Sequence, residues 1–534
     1  MQRRLRLETN PTVFVSSVLV IAMFLIVGVV ATPTLGRVFE TVQSTIAATL
    51  DWYYVLVVSG FLVFVVWLGA SRFGRLRLGG EEERPRYRYL TWFAMLFTAG
   101  MGIGLVFWSV AEPLSHLADP PMAEAGSPGA AREAMQFTFF HWGLHAWAVY
   151  VVVGLSLAYF AYRHDLPLTV RSALYPLLGE RIHGRWGDLV DVFAVFGTMF
   201  GVATSLGFGI LQVNAGLASL GLLEQSTAMQ LVLIAAVTAA AIVSLLLGLD
   251  KGILRLSLTN LGVGTALMLF VLAAGPTVFV LRSFVEQVGV YAQQLPSMMF
   301  WTDARADSGW QEGWTIFYWG WWMSWSPFVG MFIARVSRGR TVREFVFGVL
   351  LVPVALTFLW MAIFGNSALA IDGATGGQLA DAVAEDPAVA LFELLGQLPL
   401  TSVTTVLAIL LVATYFVTSS DSASLVIDLL TSGGNVDPPK RQRVFWAVLE
   451  GAVAGVLLAA GAGGLEALQT AAITTALPFS LIMILACVGL VRALYVDERG
   501  QPLSRAVLLD DGHDVVPQCH GRESPVRDRV QGSP

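Results

Sequence analysis

Long apolar stretches alternate with short polar connections along nearly the whole chain. Stretches of membrane-spanning length run over 12–32, 52–70, 91–111, 135–160, 188–212, 228–249, 257–281, 313–334, 344–366, 400–427, 444–464 and 467–491. The pattern predicts an all-α integral membrane protein with twelve transmembrane helices. The first stretch has no small-residue cleavage site and is read as a retained span rather than a removed leader. Between the seventh and eighth stretches, residues 283–300 mix apolar and polar positions at helical spacing. That suits an amphipathic segment lying along the outer membrane surface, or an ordinary outer loop.

Two stretches contain residues that weaken helices: AGMGIG (99–104) in the third and SWSPFVG (324–330) in the eighth. Glycine and proline there free backbone amides and carbonyls to line a cavity. Interruptions at matching places in two halves of a chain point to a binding site between inverted repeats. The third and eighth stretches are five apart, an odd shift that inverts topology. The expected organisation is 1–90 with two peripheral helices, 91–282 as a first repeat, 283–312 as the amphipathic segment, 313–495 as a second repeat, and 496–534 as a disordered tail.

Composition agrees: 56% of residues are hydrophobic and only 13% are charged, and the mean hydropathy is +0.68. These values lie outside the soluble globular range. The placement of charge is more informative than its sum. With a cytoplasmic N-terminus, only Arg37, Arg132, Arg282 and Arg305 among the basic residues fall outside, as the positive-inside rule asks. Both termini are then cytoplasmic. Cys487 and Cys519 have no framework or metal spacing. No nucleophile elbow, HExxH, phosphate-binding loop or nucleic-acid-binding stripe is present, so neither an enzyme nor a nucleic-acid partner is expected.

The densest chemistry is GWTIFYWGWWMSWSP (313–327), which holds Trp314, Trp319, Trp321, Trp322 and Trp325 in a stretch uncharged from Gly313 to Ala334. Tryptophans at a helix end anchor it at the interface; these continue toward the middle of a span. Their π faces attract organic cations without a fixed negative charge. In the fourth stretch, HWGLHAWAVY places Trp142 and Tyr150 about 80° apart on an ideal helix, with Trp147 about 60° beyond Tyr150. Facing Trp322, they suit an aromatic box around a quaternary ammonium group; packing aromatics are the alternative for any single ring. His141 and His145 at i, i+4 suit a metal pair, a proton relay or hydrogen bonding between helices. In the tenth stretch, Thr418 and Ser419 follow Tyr415 by one turn. Two hydroxyls with carbonyls from the broken third stretch suit a Na⁺ cage, although such hydroxyls also bond between helices. Glu112 is expected at the outer boundary.

The motifs GWTIFYWGWW (313–322), AGMGIGLVFWSVAEPLSH (99–116), HWGLHAWAVY (141–150), SPFVGMFIARVSRGRT (326–341) and VTSSDSAS (417–424) resemble those of the betaine/choline/carnitine transporter family over nearly the whole chain. The resemblance implies a LeuT-like core of five plus five helices in inverted repeat, preceded by two extra helices. It also implies uptake of compatible solutes, frequent Na⁺ coupling, homotrimers and a place in the bacterial inner membrane. Carried over by motif position, Trp142, Trp147, Tyr150 and Trp322 form the box, with Trp325 and Met101 beside it. The implied sodium site takes the carbonyls of Thr98, Met101 and Tyr415 and the side chains of Thr418 and Ser419. A second sodium site matches Thr198 and Phe328, but Val202 stands where a second threonine belongs.

Gly104 resembles the betaine-type members, whereas choline-type members tend to have Asp there. A buried unpaired carboxylate is costly, and a zwitterion does not require one. The solute's own carboxylate is then expected at backbone amides of Met101, Gly102, Ile103 and Gly104. The expected activity is import of glycine betaine by Na⁺ symport with alternating access. The alternatives are a sodium-independent exchanger or a proton-coupled carrier of choline or carnitine, and import of dimethylsulfoniopropionate or ectoine.

Overall fold

The computed structural model describes residues 9–100, 102–247, 250–306, 308–435, 438–460 and 465–507. Met101, Cys519 and most of the predicted tail lie outside them. Among the described residues the fold is all-helical, with one isolated antiparallel bridge, Arg77 to Thr341, and no strand.

The first half holds α1 (Pro11–Val30), α2 (Thr32–Ala70), α3 (Tyr89–Gly100), α4 (Ile103–Ala118), α5 (Pro128–Trp142), α6 (Leu144–Arg163), the short α7 (Tyr175–Leu178), α8 (Arg185–Ser219) and α9 (Thr227–Leu247). The second half holds α10 (Asp250–Ala274), α11 (Thr277–Met298), α12 (Phe317–Val336), α13 (Val342–Thr375), the short α14 (Gln378–Glu385) and α15 (Ala390–Gly396), α16 (Thr401–Thr431), α17 (Lys440–Ala460) and α18 (Leu465–Glu498). Among the described residues ten helices are long and apolar enough to cross a membrane, the α5–α6 pair serving as one of them. The other two predicted spans are the third, divided between α3 and α4, and the eighth, α12, whose tyrosine and four tryptophans ahead of Pro327 lower its mean hydropathy.

Several predicted connections are helical. α2 starts at Thr32, directly after the Ala31 that ends α1, with proline in its first turn, where a missing N–H costs nothing. The amphipathic segment falls on α11, which buries Val280, Tyr291 and Met298. Residues 496–507 finish α18 and turn back on it, where Arg492 Nε donates to the Ala506 carbonyl (2.9 Å).

The centre of the bundle is α12, which packs against α6, α8 and α18, while α16 packs against α8, α9, α10 and α17. Small residues permit the close approaches. A Cβ on Gly201 of α8 would stand 2.9 Å from the Trp325 amide nitrogen, and one on Gly330 of α12 2.9 Å from the Gly154 nitrogen of α6. Small-residue contacts of this kind let membrane helices pack backbone to backbone.

Candidate substrate and cation site

The third span breaks where its glycines are. α3 ends at Gly100, Gly102 is extended (φ −153°, ψ −165°), and α4 starts at Ile103 without a side-chain cap. The first N–H groups of α4 are thereby free of intrahelical partners. A Cβ on Gly102 would approach Trp325 to 3.9 Å, and one on Gly104 would run into the Trp321 ring, 3.0 Å from its Cζ2. Ile103 is buried and abuts Gly209 of α8. The broken segment therefore lies along the tryptophan face of α12, and Gly104 has no room for a side chain. Met101 is outside the described residues, and Thr98 is described only as a helical residue of α3.

The eighth span, in contrast to the expectation, is not interrupted: α12 is continuous through Pro327. Proline leaves the carbonyl four residues back without its N–H partner. Here that carbonyl, Met323 O, is taken by the Ser326 hydroxyl (2.7 Å). Ser324 bonds α18 instead, at the Ala472 carbonyl (2.8 Å) and Thr475 Oγ1 (2.9 Å). The polar residues of this motif hold a proline helix together and fasten it to its neighbour. The pairing of two interruptions therefore loses one member.

The fourth span carries the break that the sequence reading missed. α5 ends at Trp142, Gly143 is non-helical (φ −90°, ψ −141°), and α6 begins at Leu144. A Cβ on Gly143 would collide with the Phe139 carbonyl and come 2.7 Å from the Tyr291 hydroxyl. That hydroxyl, from α11, accepts the Leu144 N–H (3.1 Å), giving one backbone donor freed by the break a partner. The ideal-helix placement of Trp142, Trp147 and Tyr150 thus fails, because Trp142 belongs to a different helix from the other two.

The rings nonetheless meet. Trp322 lies edge-to-face with Trp142 (centroids 4.9 Å apart, 71°) and with Tyr150 (6.3 Å, 76°). Tyr150 also meets Trp325 (6.1 Å, 70°) and Trp147 (5.5 Å, 87°). All five rings are buried. Trp147 joins the group through Tyr150, whose hydroxyl is buried without a hydrogen-bond partner among the described residues. The remaining tryptophans of the window pack: Trp321 stacks on Trp322 (4.7 Å, 16°), Trp319 on His145 (5.4 Å, 21°), and Trp314 against His116 (4.3 Å).

Glu112 is fully buried among three elements. Its Oε1 accepts from His141 Nδ1 (2.7 Å) and His116 Nε2 (3.3 Å). Its Oε2 accepts from the Trp142 indole (2.8 Å) and from the Tyr318 hydroxyl. His141 continues to Thr315 Oγ1 (3.0 Å), and its carbonyl accepts the Trp322 indole N–H (2.9 Å). One carboxylate of α4 thereby orients a ring from α5 and rings from α12. His141 thus bonds between helices, whereas His145 stacks on a ring. The signal in the sequence was an acid inside an apolar stretch, which is costly unless fully partnered.

A cavity of about 110 Å³ joins the tryptophan wall to the hydroxyl pair. Trp325 and Phe328 of α12 line one side, Tyr415, Thr418, Ser419 and Ser422 of α16 another, and Ser257 and Asn260 of α10 a third. Thr418 Oγ1 bonds the carbonyls of Thr414 and Tyr415 (3.1 Å each). Asn260 is a lining residue that sequence reasoning passed over; it is buried, and its Nδ2 has no partner among the described residues. Thr198 is buried on α8 with its hydroxyl on the Ala194 carbonyl (2.8 Å), and it is not among the lining residues that include Phe328.

Membrane-length helices enclosing an aromatic-walled, hydroxyl-lined cavity describe a carrier of small solutes. The family model for BCCT, the betaine/carnitine/choline family transporters, matches residues 12–499, and the chain belongs to that family. It is 50% identical over 507 residues to an uncharacterized transporter of Mycobacterium tuberculosis (94% of this chain, 85% of that one). It is 48% identical over 489 residues to a glycine betaine transporter of Acinetobacter baylyi (91% and 74%). To the glycine betaine transporter OpuD of Bacillus subtilis it is 45% identical over 486 residues (90% and 94%).

Proposed function

We propose that the protein imports glycine betaine, or a zwitterion of similar size, together with Na⁺ by alternating access. The observation that carries this reading is the single cavity shared by Trp325, Phe328, Tyr415, Thr418 and Ser419. Next to it, the edge-to-face group around Trp322 offers π faces to a trimethylammonium group, each worth about 0.5–2 kcal/mol when desolvated.

Among the described residues the cavity lining contains no Asp, Glu, Lys or Arg. A zwitterion brings its own counter-charge to such a lining. Its carboxylate has donors to meet at the uncapped start of α4, where helix N-termini favour anions. The Thr418 and Ser419 hydroxyls with the Tyr415 carbonyl supply hard oxygen ligands for Na⁺, completed by carbonyls at the broken third span. The names of the Acinetobacter and Bacillus relatives agree with the substrate class. In this reading the chain crosses the bacterial inner membrane twelve times through an inverted-repeat core, keeps both termini cytoplasmic, and assembles as a homotrimer. Phe328 with Thr198 as a second sodium site is the weaker part, since Thr198 is turned to its own helix.

Uptake of labelled glycine betaine into proteoliposomes tests this, with an inward Na⁺ gradient compared with K⁺ on both sides. Accumulation that needs the gradient is expected. Equal accumulation in the two conditions would remove Na⁺ coupling and favour an exchanger. Unlabelled ectoine, dimethylsulfoniopropionate, choline and carnitine as competitors rank the substrates.

A further inference from the structure

Three carboxylates line the packing of α16 against α17, and among the described residues one cation is paired with them. Asp421 takes Arg443 (Nη2 to Oδ1, 2.8 Å), Asp428 takes the neutral Gln442 (Nε2 to Oδ1, 2.9 Å), and Glu450 takes only Ser420 (Oγ to Oε2, 2.9 Å). Glu450 is fully buried and is the middle residue of α17, which is of membrane-crossing length. Its Oε1 has no partner among the described residues. An ionised carboxylate held by one hydroxyl in an apolar interior is among the costliest arrangements a membrane protein can hold. Protonation removes that cost.

The groups around it offer no alternative. Arg443 is seven residues earlier on α17, about 10.5 Å along the axis, and is engaged by Asp421. α1 and α9, which pack on α17, carry no ionisable side chain in Pro11–Val30 or in Thr227–Leu247. The ionisable groups of α8 are Arg185, Asp188 and Asp191 in its first turns, the two acids being bound by Arg171. Among the described residues, those of α2 (Arg37, Asp51, Tyr53, Tyr54) and of α18 (Glu466, Cys487, Arg492, Tyr495, Asp497, Glu498) make no ion pair with Glu450. Asp421 is the charged neighbour that acts on it, and it is of the same sign.

We propose that Glu450 is a proton-binding site, linked through Ser420 to the cavity that holds the transported cation. Ser420 directly follows Thr418 and Ser419 on one rigid turn of α16. A cation drawing those hydroxyls moves the Ser420 hydroxyl with them, and a negative Glu450 in turn favours a cation behind it. Proton and cation are then competitors: each weakens the other by the same factor, as linkage requires. The choice of Na⁺ as that cation rests on the function proposed above.

The test is infrared titration of the full-length transporter in lipid vesicles, in KCl and in NaCl. At neutral pH the wild type is expected to show a protonated-carboxyl band that Glu450→Gln lacks. Replacing K⁺ by Na⁺ should lower the proton affinity of that band about five-fold or more, the low end of ordinary coupling. Ser420→Ala should keep the band and lose the shift. No Glu450-dependent band at neutral pH overturns the proton site, and a titration identical in the two salts overturns the linkage. Betaine uptake measured on the same vesicles separates the two claims. Uptake that requires Na⁺ without the band refutes the proton site alone. Uptake indifferent to Na⁺ refutes sodium coupling and the linkage together, while the band still decides the protonation state of Glu450.

Discussion

Replacing Trp322 by leucine removes the ring that joins the two halves of the aromatic group. In the structure it contacts Trp142 at 4.9 Å, Tyr150 at 6.3 Å and Trp321 at 4.7 Å, and its indole donates to the His141 carbonyl at 2.9 Å. For bound betaine, the substitution deletes one cation–π face, about 0.5–2 kcal/mol. The edges that held Trp142 and Tyr150 go with it, at about 0.5–1.5 kcal/mol per aromatic pair. A net loss of about 2–3 kcal/mol raises the betaine Kd roughly 30- to 140-fold, since about 1.4 kcal/mol is tenfold. Trp322→Phe keeps a π face and gives up the indole N–H, which at about 1 kcal/mol predicts roughly a five-fold rise. Calorimetric betaine titration of the three proteins gives the Kd values, and circular-dichroism melting shows which remain folded. A folded leucine variant within three-fold of wild type would refute the box.

Three further substitutions probe its supports. Gly104→Ala places a methyl group against the Trp321 ring; overpacking of this kind costs about 1–3 kcal/mol, so betaine affinity should fall about tenfold in the same titration. Glu112→Gln leaves one carbonyl oxygen to serve donors from His141, Trp142 and Tyr318. At about 1–3 kcal/mol per unsatisfied buried group, thermal unfolding in detergent should begin at a visibly lower temperature, with weaker betaine binding. Tyr291→Phe removes the acceptor of the Leu144 N–H at the α5–α6 break; a smaller loss of melting temperature is expected, with betaine Kd raised less than by Glu112→Gln.

The helical membrane class could be read from the chain because twenty-residue apolar runs and the placement of arginines are local signals. The tryptophan window and the Thr418–Ser419 pair were equally visible, and the cavity brings Trp325, Phe328, Tyr415, Thr418 and Ser419 together. What the sequence hid depends on distant partners. Gly143 looks like any small residue of a membrane helix until Phe139 and Tyr291 crowd it. Pro327 looks like a breaker until the Ser326 hydroxyl is seen on the Met323 carbonyl. Glu112 reads as a terminal acid because its four donors come from α4, α5 and α12. Glu450 went unnoticed for the same reason: its isolation is a property of α16, α1 and α9, not of α17.

The most direct test of cation-coupled betaine recognition is the equilibrium Kd of glycine betaine as Na⁺ replaces K⁺ at constant ionic strength. Affinity is expected to tighten with Na⁺ by about five-fold or more, the ordinary range of coupling between two sites. In the Thr418→Ala, Ser419→Ala double variant that dependence should vanish. A wild-type Kd that does not change from zero to saturating Na⁺ would contradict the coupling of the cavity's hydroxyl side to its tryptophan side.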